Sequence, residues 1–463
     1  MKHLFFLGIA GHAMGGLALA AKNGGYVVTG LDEAGSPPMS TWLDDHGLAW
    51  AKIYASNQLD GVDAVVISGQ HGSEDHPVIK VARERNIRIL SFAELLGEIT
   101  HGVHVVAVAG THGKSTTASL ITWLLEAAGR SPDFLIGIRP FNFEASSRLN
   151  GAKVAVIEAD EYKASTMDPR PKFDYYHPDV LVLTSIEHDH PDIYPTLDSY
   201  LTAFEGLVSA MPQTGCLVLC AEDPLAVRVA AKAGSKVVRY GINQGDYTAK
   251  KIVFLPGGIQ FEVQSPQGNL GAITVPVYGR HNVLNSLAAV VVGLQEGLAF
   301  KDIVVGAQKF KGVFRRFSIL TPEHSKITII DDYAHHPTEA RTTIEAAKLH
   351  FPGRRLVVVY RPHTYSRTQT LLKEYHAAFL EADKLYITDV EPARELANQR
   401  TVSGQEIVEG LPPDLKARSA FVVQRDELVA QIVADAKAGD VVLCMTVSGY
   451  EGIAEELAAS LRE

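Results

Sequence analysis

Residues 105–119 read VVAVAGTHGKSTTAS, and the interpretation of this stretch decides the fold. An apolar β-type run stops at Gly110, passes through His112, Gly113 and Lys114, and continues as the amphipathic helical pattern STTASLITWLL. A glycine-containing turn between a strand and a helix presents backbone N–H groups at the positive end of the helix dipole, where phosphate oxygens bind. The usual G-x-x-x-x-G-K-[ST] spacing is incomplete here, because Val108 stands where the first glycine belongs. A lysine at a helix start is opposed by the dipole and requires a compensating anion. The stretch therefore predicts a phosphate cradle. In it, Lys114 reaches the β/γ-phosphates of a nucleotide, and Ser115 or Thr116 offers a hydroxyl to Mg²⁺.

Two acidic clusters extend that reading. Glu158-Ala159-Asp160-Glu161 closes the run VAVIEADE, and Glu187-His188-Asp189-His190-Pro191-Asp192 closes VLVLTSIEHDHPD. The carboxyl ends of parallel strands open on the same crevice as the loop after the first strand. Carboxylate and imidazole in that crevice suit Mg²⁺ bridging phosphates, whereas zinc prefers a tighter all-protein cage. Either cluster alone is also what a capping or surface run looks like. Together, beside a phosphate loop, they describe a nucleotide and metal site. Further on, GRHNVLN (279–285) precedes an apolar helical run expected over Asn285–Glu296. Asn282 and Asn285 suit either a helix cap or a base edge, and the spacing favours the cap.

On the N-terminal side, residues 1–100 alternate short strands (HLFFLGIAG, YVVTGLD, DAVVISG) with helical patterns, as a parallel sheet with crossover helices requires. Gly8, Gly11, Met14, Gly15 and Gly16 lie in a strand-to-helix turn suited to a diphosphate. Their spacing is not G-x-G-x-x-G, so a nicotinamide site is not indicated and an unliganded tight turn stays open. Asp32, ending the second strand, stands where such folds place a ribose contact. On the C-terminal side, KITIIDDYAHHP, RRLVVVYRPH, KLYITDV and DVVLCMTVSG repeat the α/β alternation.

Bulk properties agree. A chain of 463 residues exceeds one comfortable core, and two to four domains are expected. Forty-three basic against 53 acidic residues give a net charge of −10 without long single-sign blocks, which argues against a nucleic-acid binder. Three cysteines without zinc spacing fit a reducing cytoplasm. MKHLFFLGIAG superficially resembles a signal segment but leads into glycines with no cleavage site. No apolar run approaches the ~20 residues that span a bilayer, so no membrane partner is expected.

Taken together, GTHGKSTT, EADE, IEHDHPD, GRHNVLN, RRF and DDYAHHPTE occur in the order and approximate spacing of the Mur ligase family, which the whole chain resembles. That resemblance implies three α/β domains: a Rossmann-like UDP-sugar domain (1–103), a P-loop ATPase-like domain for ATP and Mg²⁺ (104–317), and a Rossmann-like acceptor domain (318–463). It implies that Gly110, Thr111, His112, Gly113, Lys114, Ser115 and Thr116 hold ATP. His281 and Asn285 would lie near the adenine, Arg316 near the phosphates and Asp332 at the ribose. Ser115, Glu158 and His190 would be metal ligands. Gly8, Gly11, Met14, Gly15 and Asp32 would hold a uridine diphosphate. Lys114, Arg316 and His335 carry the expected catalytic roles, with His363 a second candidate to take the amine proton.

Two branches of the family compete. RPHTYSRTQT, ITDVEPARE and DDYAHHPTEA resemble the branch that joins free L-alanine to UDP-N-acetylmuramate, and that resemblance places the amino-acid carboxylate at His363 and Arg367. SPPMSTWL, NFEASSRL and IEADEYKAS resemble the branch that attaches an L-Ala-γ-D-Glu-meso-diaminopimelate tripeptide. TVSGYEGI and Arg361, which replaces the glutamine common before PH, match neither pattern. A free amino acid needs its carboxylate neutralised in a small pocket, which favours L-alanine. The expected activity is ATP-dependent amide formation through an acyl phosphate, by a cytoplasmic monomer or homodimer. A nicotinamide oxidoreductase and a non-catalytic nucleotide-sensing module are the alternatives from other classes.

Overall fold

Every strand anticipated as a near-continuous Val/Ile/Leu run is present, because strands of a parallel sheet are covered on both faces and need apolar residues at each position. The computed structural model describes residues 2–37, 39–69, 73–322, 324–393, 395 and 400–461. Pro38 of SPPMSTWL and Arg394 of ITDVEPARE lie outside the described residues. By contact the chain forms two compact units. The first comprises Met1–Glu187, Asp198–Tyr247 and Leu287–Gly306; the second comprises His188–Leu197, Thr248–Ser286 and Ala307–Glu463.

The first unit holds strands β1 (His3–Leu7), β2 (Val27–Leu31), β3 (Ala49–Ala51), β4 (Ala64–Ile67) and β5 (Arg88–Ser91) in a parallel sheet of order β3-β2-β1-β4-β5. The order reverses between β1 and β4, and a crevice forms at such a switch point. A second set follows: β6 (His104–Ala109), β7 (Asp133–Leu135), β8 (Ser147–Arg148), β9 (Val154–Glu158), β10 (Val180–Leu183), β11 (Cys216–Cys220) and β12 (Lys236–Gly241). These run in the order β12-β11-β10-β6-β9-β7-β8. Strand β6 is flanked by β10 and β9, both parallel to it. The carboxyl ends of all three therefore emerge side by side, which brings GTHGKST, EADE and the start of EHDHPD to one edge.

The second unit contains three antiparallel strands, β13 (Tyr247–Leu255, whose first residue belongs to the first unit), β14 (Gly258–Ser265) and β15 (Gly268–Val275). Its larger sheet is built from β16 (Ser318–Ile319), β17 (Thr328–Asp332), β18 (Leu356–Tyr360), β19 (Lys384–Ile387), β20 (Ser419–Phe421) and β21 (Val441–Met445), in the order β16-β17-β21-β18-β19-β20. Only β16 is antiparallel to its neighbour. Alternation splits the core cleanly. Leu356, Val358, Tyr360, Leu443 and Met445 pack on one face with Ile344 and Tyr375. Val357, Val359, Val442 and Cys444 pack on the other with Ile432 and Leu457.

The helix after GRHN differs from expectation. It spans His281–Gln295, so Asn282 and Asn285 lie within it and neither is its cap. The Asn282 amide instead donates to Tyr278 O at 2.7 Å, and the Asn285 amide donates to Asn282 Oδ1 at 2.8 Å. Among the described residues no helix is long and apolar enough to cross a membrane.

Candidate functional site

The turn after β6 is shaped by two glycines. Gly110 has φ of 129°, and a Cβ there would fall 2.2 Å from Thr184 Oγ1 and 2.8 Å from Ser185 O. Gly113 has φ of 81° and caps the helix Lys114–Ala127. Between them, Thr111 N–H donates to Ser185 O (2.7 Å) and His112 N–H to Ser185 Oγ (3.2 Å). Those two amides fasten the loop to the segment after β10. Thr117 N–H closes the first helical bond, to Gly113 O. The amides of Lys114, Ser115 and Thr116 therefore precede the helical ladder, as the anion-binding end of a helix requires.

Four side chains, Lys114, Ser115, Glu158 and Glu161, converge on this end. Lys114 Nζ donates to Gly110 O at 2.8 Å and to Glu161 Oε2 at 3.0 Å. Burial alone would push this ammonium down, but the Glu161, Asp160 and Glu158 carboxylates outweigh it and hold the lysine above its usual range. Ser115 Oγ donates to Glu158 Oε1 at 2.8 Å, while Gly137 N–H donates to Glu158 Oε2 at 2.7 Å. Burial, then the Asp160 charge, pushes the Glu158 carboxyl up; Lys114, Gly137 and Ser115 oppose the shift. Ser115 and Glu158 thus form a buried, all-oxygen pair, the donor chemistry of a hard cation such as Mg²⁺. His112 Nε2 and Glu187 Oε2 lie 2.8 Å apart.

The second unit gathers the other expected residues. Arg367, only 1% exposed, donates from Nε to Asp189 Oδ1 at 2.7 Å and from Nη1 to His363 Nδ1 at 3.0 Å; its Nη2 lies 3.4 Å from His190 Nδ1. Burial would raise the Asp189 carboxyl, but the Arg367, His190 and His336 charges hold it well below the carboxylate range. The guanidinium expected to receive a substrate carboxylate therefore already has a resident one. His190 has φ of 54° and is buried against Asp189. The ring centroids of His335 and His363 are 5.1 Å apart.

His335 Nδ1 faces Tyr333 O at 2.8 Å and must donate to that carbonyl, which leaves the lone pair on Nε2. Burial, reinforced by Arg367, lowers its pKa to about 4, against the pull of Glu339. His335 is neutral at pH 7, a hydrogen-bond acceptor better than a store for a proton.

Asp332 is fully engaged with the backbone: Oδ2 accepts from Phe317 N–H and Oδ1 from Ala334 N–H, both at 2.7 Å. Burial raises its pKa to about 6, partly offset by Arg316. The half-buried Arg316 guanidinium lies 5.7 Å from the Tyr333 ring centroid. Its neighbour Arg315 is structural, pairing with Asp331 at 3.1 Å and with Thr446 Oγ1 at 3.0 Å.

In the first sheet, Gly8 takes φ of 78° and Gly11 caps the helix His12–Asn23, with Met14 and Gly15 buried in its first turns. Asp32 Oδ2 accepts from Ala10 N–H at 2.9 Å and Oδ1 from Ala34 N–H at 3.2 Å, so it ties the loop after β1 to the end of β2.

Several residues here carried no sequence signal for their roles. Glu161 stood inside a quoted cluster, but its partner is set by the adjacency of β6 and β9. Tyr200, fully buried in the helix Leu197–Ser209, places its hydroxyl 3.3 Å from Glu161 Oε1 and 3.1 Å from Thr111 Oγ1. The two departures from pattern meet each other: Arg361 pairs with Glu391 and lies 4.3 Å from the Tyr450 ring centroid.

A helix start whose first three amides precede the ladder, beside a buried oxygen pair, has the chemistry of a nucleotide-dependent enzyme class. The comparisons specify it. The Mur ligase family, catalytic domain model matches residues 3–104, the Mur ligase middle domain 108–293, and the Mur ligase, glutamate ligase domain 315–446. The chain is 33% identical over 447 residues to the UDP-N-acetylmuramate–L-alanine ligase of Clostridium botulinum (strain Langeland / NCTC 10281 / Type F), covering 96% of this chain and 94% of that one. The solved structure of the UDP-N-acetylmuramate:L-alanyl-gamma-D-glutamyl-meso-diaminopimelate ligase from Neisseria meningitides is 34% identical (TM-score 0.63), covering 68% of this chain and 100% of that one. The fold also matches the UDP-N-acetylmuramate-alanine ligase of Thermotoga maritima, with a TM-score of 0.79, 24% identity and 99% of each chain covered. The chain belongs to the Mur ligase family, and it is a carbon–nitrogen ligase of the α/β class.

Proposed function

We propose that this ligase joins the lactyl carboxylate of UDP-N-acetylmuramate to the amine of L-alanine, with ATP converted to ADP and phosphate, in the cytoplasmic assembly of cell-wall peptide. The observation that carries the reading is the buried Lys114–Ser115–Glu158 group at the start of the helix Lys114–Ala127. The relatives named for the L-alanine reaction, matched over nearly the whole chain, support the acceptor. We further propose the three-domain division at 1–103, 104–317 and 318–463, which the edges of the three family models support.

In this reading the sugar carboxylate attacks the γ-phosphorus of ATP and ADP departs, leaving an acyl phosphate. The alanine amine then attacks the acyl carbon, phosphate leaves, and the amide remains. Phosphoryl transfer asks for positioning and charge neutralisation, which Lys114, the amides of Lys114–Thr116 and Arg316 supply. Ser115 and Glu158, with His190, are the residues that would hold Mg²⁺, which when bound neutralises phosphate charge. Gly110–Gly113 shape the ATP loop, and His281, Asn285 and Asp332 are assigned to the nucleoside. The loop Gly8–Gly15 with Asp32 is assigned to the uridine diphosphate. His363 is assigned to the acceptor, with Arg367 holding it in place, and neutral His335 accepts a hydrogen bond from the amine.

The test is ADP release from ATP, Mg²⁺ and UDP-N-acetylmuramate with either L-alanine or the L-Ala-γ-D-Glu-meso-diaminopimelate tripeptide. Release is expected only with sugar and acceptor together, and faster with L-alanine. No release with either acceptor contradicts the ligase reading; a tripeptide preference overturns the acceptor alone.

A further inference from the structure

Lys114 occupies the first position of a 14-residue helix, where the dipole repels a cation, yet its side chain is only 10% exposed. The anion that compensates is Glu161, itself 1% exposed and 3.0 Å from Nζ. Glu161 is in turn held by the Tyr200 hydroxyl. Tyr200 meets Thr111, whose hydroxyl accepts from Glu187 N–H at 2.9 Å. One buried chain thus connects the lysine, the phosphate loop, the end of β9 and the end of β10.

An ammonium has three N–H donors, and Gly110 O and Glu161 take two of them. An ammonium shared with a buried carboxylate neutralises only part of an incoming charge. We infer that Glu161 is a positioning residue that acts through Lys114, competing with the nucleotide phosphates for its ammonium. Glu161 keeps the lysine at the helix start, weakens the hold on phosphate, and draws the lysine back when nucleotide leaves. The inference rests on the reading of Lys114 as a phosphate ligand.

The sign of the expected effect is unusual. Removing a counter-ion that merely stabilised the loop would weaken nucleotide binding. Removing a competitor tightens it. Binding of ATP and of ADP to the full chain, measured by calorimetric titration in Mg²⁺-free buffer, separates the two. Glu161→Gln is expected to bind both nucleotides about tenfold tighter than wild type. In a Lys114→Ala background the same substitution is expected to change affinity by less than about twofold, because the effect passes through the lysine. Glu161→Asp retains the charge, one methylene short of Lys114, and is expected to tighten binding about threefold; it also decides the matter should Glu161→Gln fail to fold. Unchanged or weaker binding by a folded Glu161 variant, or equal tightening without Lys114, overturns the inference. If Lys114→Ala itself leaves ATP affinity unchanged, the phosphate-ligand reading fails instead.

Discussion

Lys114 and Arg367 are both buried cations paired with a carboxylate, but they are held in different ways. Lys114 is a point charge with one carboxylate contact and one carbonyl, at the start of a helix whose first amides precede the ladder. Arg367 is a planar fork with Nε on Asp189 and Nη1 on His363, and it is nearly sealed from solvent. A lysine ammonium rotates and exchanges partners easily, whereas a guanidinium held along its edges is fixed. The comparison teaches that a cation in a binding motif is not thereby a ligand for substrate. Lys114 is placed to exchange; Arg367 is placed to hold the His188–Leu197 segment and His363 in position.

The largest effect that tests this contrast is on stability. Asp189→Asn leaves Arg367 as a buried charge without its counter-ion, at a cost of about 3–5 kcal/mol. Denaturant unfolding should show that loss as a lower midpoint with an unchanged slope. A loss under about 1 kcal/mol would mean that Arg367 exchanges partners as Lys114 does.

A smaller effect belongs to a third buried base, kept uncharged. His350 Nδ1 donates to Leu255 O at 2.9 Å, and its Nε2 accepts from Gly279 N–H at 3.1 Å. Burial lowers its pKa, opposed by the bond to Leu255. A histidine depressed in the folded state contributes stability that is fully present above its unfolded pKa, about 6.5. That contribution is lost as pH falls through the folded value. Between pH 7.5 and pH 5 this contribution lowers the thermal stability of the wild type, and His350→Gln should remove it as a modest change in the pH slope. An identical slope in the variant would remove His350 as a source.

The legible parts of this molecule were those written in local sequence. Strands β1, β6, β9, β10, β17, β18 and β21 read as apolar runs because both their faces are covered. The strand–turn–helix around this loop was legible despite Val108, since Gly110 and Gly113 are the positions where a positive φ is required. Lys114 announced its need for an anion through the helix dipole. Which anion answered was not legible, because Glu161 and Tyr200 reach it through strand order and not through spacing. Short strands such as β3 and β8 carry too few residues for a pattern. Asp32 and Asp332, read from sequence as ligand carboxylates, also accept backbone N–H bonds that hold their turns, a second role that the sequence did not announce. The same residue type at a strand end serves either purpose, and only the neighbouring backbone reveals the second.

The account stands on transfer of the γ-phosphate to a sugar-borne carboxylate. UDP-N-acetylmuramate labelled with oxygen-18 in its carboxyl group, turned over with ATP and L-alanine, reports that step directly through the mass of the released phosphate. The account predicts one labelled oxygen in each phosphate when both carboxyl oxygens are labelled. Unlabelled phosphate accompanying amide formation would contradict it.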